Sequence, residues 1–75
     1  MKAEVCNLTY GQRFTTCLTG RKGVCIDDGS SYSGGVNVVM HLLVDQKEWP
    51  DPVNYDRALC ETKRLAPAVV VDLQG

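Results

Sequence analysis

Residues 36–45 read VNVVMHLLVD, and the alternation within this stretch decides how the rest of the chain folds. Val36, Val38, Met40, Leu42 and Val44 fall on every second position, the spacing that puts side chains on one face of a β-strand. They form the expected inward set. Asn37, Val39, His41 and Leu43 occupy the other face, which is too apolar to be wholly solvated, so cover from another segment or from a partner is expected over it. His41 reads as an exposed strand histidine, since the chain has no second histidine to share a metal and no nucleophile adjoins it in sequence.

Upstream, LTGRKGVCIDDG (18–29) links two shorter alternating runs. Phe14, Thr16 and Leu18 alternate with Arg13, Thr15 and Cys17, while Val24 and Ile26 flank Cys25. Gly20 and Gly23 bracket the link and are expected to supply the positive φ of a hairpin turn, leaving Arg21 and Lys22 at an exposed basic tip. DGSSYSGG (28–35) follows as a turn-rich loop.

Downstream, QKEWPDPVNYD holds two prolines around one aspartate, which makes residues 46–54 an irregular loop with Trp49 and Tyr55 as its anchors. Trp49 reads first as a packing residue and second as an aromatic contact for a ligand. RALCETKRL (57–65) fits a strand, with a short helix capped by Asn54 as the alternative. LAP then gives a turn, and AVVVDL (68–73) a last strand whose inward set is Val69, Val71 and Leu73.

The chain has 75 residues, enough for one small domain in which a deep enclosed cleft has no room. Its 44% hydrophobic and 23% charged content is that of a folded globular chain, and a net charge of −1 gives no overall field toward nucleic acid or anionic lipid. No apolar run approaches the ~20 residues of a membrane span, and no secretory leader pattern opens the sequence, so no membrane association and a cytoplasmic setting are expected. Cys6, Cys17, Cys25 and Cys60 form no CxxC pair. With a single histidine beside them, the expectation is free thiols, no metal and no cofactor.

Short strands, a basic hairpin and a one-turn bend before the last strand make an all-β domain of five strands, and at this length a partly open barrel hides most sheet edges. The order GQRF, LTGRKGVC, GGVNVVMHL and LAPAVVVDL resembles SH3-like small barrels of the KOW type, found in short bacterial and phage proteins, with the core at about residues 10–73 of a single 1–75 domain. That resemblance implies binding of protein or nucleic acid through loops.

Three function classes follow. The preferred one is a non-enzymatic protein-interaction module, perceived as an accessory or inhibitory protein of a phage or mobile element, with another protein or a second copy as partner. Its binding residues are expected among Arg21, Lys22, Val39, His41, Leu43 and Trp49. The alternative is a nucleic-acid binder in which Arg21 and Lys22, with Arg13, Lys63 and Arg64, touch phosphates and Tyr32 or Trp49 stacks on bases. Asp27, Asp28, Asp45, Glu48, Asp51 and Asp56 lie in or beside the same loops and oppose it. The third is an enzyme. Small barrels of the plasmid-type dihydrofolate reductases catalyse as tetramers, but their Val-Gln-Ile-Tyr run is absent, the nearest being Val36-Asn37-Val38-Val39. No other catalytic motif is present. Cys25 or Cys60 would be a nucleophile only with a base beside it, so no catalysis is expected.

Overall fold

The computed structural model describes residues 1–27 and 34–74. The strands are β1 (Lys2–Glu4), β2 (Arg13–Thr16), β3 (Lys22–Cys25), β4 (Val36–His41), β5 (Cys60–Leu65) and β6 (Val70–Leu73), with one 3₁₀ turn at Val5–Asn7. They form a single sheet in the order β1-β6-β2-β3-β4-β5, every pair antiparallel. β2 to β5 run as a meander. β6 then crosses to the far side of β2, and β1 adds outside it.

The all-β expectation holds, while the expected five-stranded barrel does not describe what is seen: the sheet has six strands and stays open, with β1 and β5 at its two edges. The extra strand comes from Lys2–Glu4, too short and too charged to show an alternation. It carries the 3₁₀ turn behind it, so Val5 and Leu8, upstream of the stretch assigned to the core, are fully buried. Residues 57–65 are strand from Cys60 onward. The Asn54-capped helix does not form, because Asp51, set between the two prolines, accepts the N–H groups of Asn54 and Val53 (2.7 and 2.9 Å) and tightens the loop into a turn. Those bonds, from Asn54 first, hold the Asp51 carboxyl below its usual range.

β4 is covered on both faces. On one, Val36, Val38 and Met40 join Phe14, Cys25, Val71, Val5 and Leu8 in the main core, with Leu65 and Leu73 at its margin. On the other, Val39 packs with Val24 and Cys60, and Ile26 and Tyr55 close over them. The cover expected over this second face thus comes from the chain itself, from Ile26 and from the 42–59 segment.

Four side chains of the alternating sets lie outside the core, three of them (Leu42, Val44 and Val69) expected inward. β4 ends at His41, so Leu42 and Val44 leave the sheet and are about half exposed. β2 ends at Thr16, where the backbone closes the hairpin through Thr16 N–H to Arg21 O (2.9 Å) and Gly20 N–H to Thr16 O (3.0 Å), and Leu18 stands 99% exposed on the turn. Val69 precedes β6 and is likewise exposed. Alternation marks a strand's face but not its length, and each of these residues lies one or more positions past a strand end. Among the described residues no helix is long and apolar enough to cross a membrane.

Candidate functional site

The hairpin tip is not the basic finger the sequence suggests. The turn is made by residues 17–20, and Lys22 and Gly23 already belong to β3. Only Gly20 has the expected positive φ, +72°. Arg21 folds back across the sheet: its Nε donates to the His41 carbonyl and its Nη2 to Glu61 Oε2 of β5, both at 2.6 Å, and its side chain is only 16% exposed. Arg21 therefore buttresses three consecutive strands. Arg21→Met, which keeps the apolar stem and removes the donors, is expected to lower the stability by about 1.5–3 kcal/mol, the worth of partly buried charged hydrogen bonds. Lys22→Met should change it by less than about 0.5 kcal/mol. Urea unfolding of the two variants checks this, and equal small effects would contradict the buttress.

Lys22 and Trp49, both assigned to binding, do come together. The Lys22 ammonium lies 5.2 Å from the centre of the Trp49 ring, whose indole N–H donates to the Phe14 carbonyl at 2.9 Å. Trp49 is half-buried and pins the proline-rich loop to β2, the packing role preferred for it. Its exposed face is taken by Lys22, so the cation and the ring of the nucleic-acid reading satisfy each other. Lys63 and Arg64 are successive residues of β5, opposite Val38 and Asn37, and point to opposite faces. Tyr32 and Asp28 lie outside the described residues.

His41 is buried rather than exposed, because the 42–59 segment returns over its face. Its Nε2 is 2.9 Å from the Glu48 carbonyl, which can only accept, so Nε2 carries the proton. Nδ1 then presents its lone pair to Cys60 Sγ at 3.4 Å. This cysteine–histidine pair is invisible in the sequence, where the two residues are far apart; only the β4–β5 register sets them opposite each other. Its chemistry is that of a protonated thiol. Burial first, and the Asp56 carboxylate second, push the Cys60 thiol up, whereas a nucleophile needs it lowered. Burial likewise raises the Cys25 thiol, which points at the Asp27 carbonyl (3.4 Å). Val39 is sealed beneath the same cover, and no cavity opens among the described residues.

No known protein family, curated protein or solved structure matches the chain.

An exposed apolar run lies just past the end of β4. Leu42, Leu43 and Val44, 48–57% exposed, follow one another in the chain, and Leu42 N–H bonds the Leu59 carbonyl (2.9 Å), which brings the exposed Leu59 alongside. Of the residues assigned to binding, Leu43 alone is both apolar and open. Its neighbours Leu42, Val44 and Leu59 were missed because alternation counted the first two inward and Leu59 showed no distinguishing mark. The segment behind them carries Asp45, Glu48, Asp51 and Asp56 against Lys47 and Arg57, and the Arg57 guanidinium is stacked 5.0 Å from the Tyr55 ring.

Proposed function

We propose that this chain is a non-enzymatic protein-interaction module that docks a protein surface apolar at its centre and basic at its rim. The observation that carries the reading is the run Leu42-Leu43-Val44, left exposed beside Leu59 by a strand that stops at His41 and backed by an acidic loop. Contiguous exposed apolar side chains are the usual centre of an interface, and the net negative charge of the 42–59 segment favours a cationic rim on the other side. The nucleic-acid reading loses its main support, because Arg21 is held by Glu61 and Lys22 by Trp49. Catalysis has no support from the buried, protonated Cys60 thiol. The SH3-like reading rests on the β2–β5 meander with a last strand returning to β2.

A photo-crosslinking side chain placed at position 43, with the still more exposed position 18 as control, tests the reading in a nuclease-treated lysate. One discrete protein is expected at position 43 and not at 18. Its purified form should bind with a negative heat-capacity change and should lose roughly tenfold or more in affinity to the Leu43→Glu, Val44→Glu variant. Recovery of nucleic acid at position 43, or an affinity for DNA or RNA that falls steeply with salt, would overturn it.

A further inference from the structure

The free edge of β5 carries a pattern that complements itself. Leu42 N–H bonds Leu59 O, which fixes the phase of the β4–β5 ladder: residues 61, 63 and 65 turn their backbone groups toward β4, and Cys60, Thr62 and Arg64 turn theirs outward. Nothing among the described residues bonds to those outward groups, and Thr62, Lys63 and Arg64 are exposed. Charges on an edge strand normally repel a second strand. Here they select one.

We infer that β5 pairs antiparallel with β5 of a second copy of this chain, about a two-fold axis at Thr62, extending two six-stranded sheets into one. In that register Thr62 faces Thr62 in a hydrogen-bonded pair, and Cys60 faces Arg64 in two more. Glu61 faces Lys63 of the second copy twice, at the closely spaced positions where side chains approach best. Sliding the strands by one step to either side sets Glu61 against Glu61 or Lys63 against Lys63, and like charges directly opposite are unfavourable. Glu61 is already held in place through Oε2 by Arg21, which leaves Oε1 for the second copy, and Lys63 has no ion pair among the described residues. At each end the exposed Leu59 approaches the half-buried Leu65 of the other copy. Leu42, Leu43 and Val44 take no part, and Leu59 alone is shared with the docking surface proposed above.

Sedimentation of the purified chain from micromolar to millimolar concentration, with amide hydrogen exchange at both ends of the range, tests the inference. A dimer is expected in which the amides of residues 60, 62 and 64 gain protection with concentration and those of 61, 63 and 65 do not. Lys63→Glu, an exposed change that leaves the fold intact, should weaken the dimer roughly tenfold or more, and Lys63→Arg by less than about threefold. A chain that stays monomeric at millimolar concentration overturns it. So does a dimer that tolerates Lys63→Glu or leaves the Thr62 amide exchanging as in the monomer.

Discussion

A chain carrying Gly23→Val is expected to show no cooperative unfolding transition at room temperature. Gly23 lies in β3 between Phe14 of β2 and Met40 of β4, and a Cβ there would stand 2.7 Å from the tip of the Phe14 ring, 2.9 Å from Met40 Cγ and 2.9 Å from the Val39 carbonyl oxygen. The Met40 side chain can move. The Phe14 ring is fully buried and the carbonyl belongs to β4, a strand paired on both sides, so neither gives way without opening the main core. Overpacking by a single methyl costs about 1–3 kcal/mol, and a branched side chain pressed against backbone exceeds the ~5 kcal/mol that a domain of this size has to lose. Gly23→Ala should still fold, with a much lower urea midpoint. Gly20→Val is the control: open space surrounds that position, so only the strain of a β-branched residue at φ +72° acts, about 1–3 kcal/mol. A Gly23→Val chain that melts like Gly20→Val would show that the sheet is not packed this closely.

Val38→Asp is expected to unfold the domain as well, by a different route. Val38 is fully buried in the main core, midway along the strand covered on both faces. A carboxylate there must be desolvated without a partner, at a cost of several kcal/mol. Lys63 stands opposite in the ladder, but its ammonium is in solvent and would have to be drawn into the core to help. Val38→Ala leaves only a cavity and should retain a cooperative transition at lower denaturant, about 2–3 kcal/mol less stable. Circular dichroism of both variants across a urea series separates the two effects. A well-folded Val38→Asp chain would reverse the assignment of inner face.

The two glycines show how much of this fold can be read in advance. A glycine pair around a short link signals a turn, and that signal is correct for Gly20. Gly23 looks the same in the sequence but is a strand residue whose missing side chain makes room for Phe14, a demand set by a neighbour in space. The same division runs through the molecule. Period-two alternation identified the hairpin strands, the long strand after them and the inner set Val36, Val38 and Met40, because it reports a local geometry. Strand ends, the β1 edge and the Arg21–Glu61 pair depend on register between distant segments, which no local pattern encodes. The surface was harder still: His41 and Val39 were assigned to binding because their face is apolar, and the loop that covers them announces itself only as a break in regular structure.

β1 lies beside β6, and Lys2 meets Asp72 across the two strands. A growing chain therefore cannot complete its sheet in the order in which it is made. Val5 and Leu8, made well before Val71, have to wait until it arrives to share their core. Completing the sheet thus waits on closing the loop between β1 and β6, a long-range contact of the kind that slows folding.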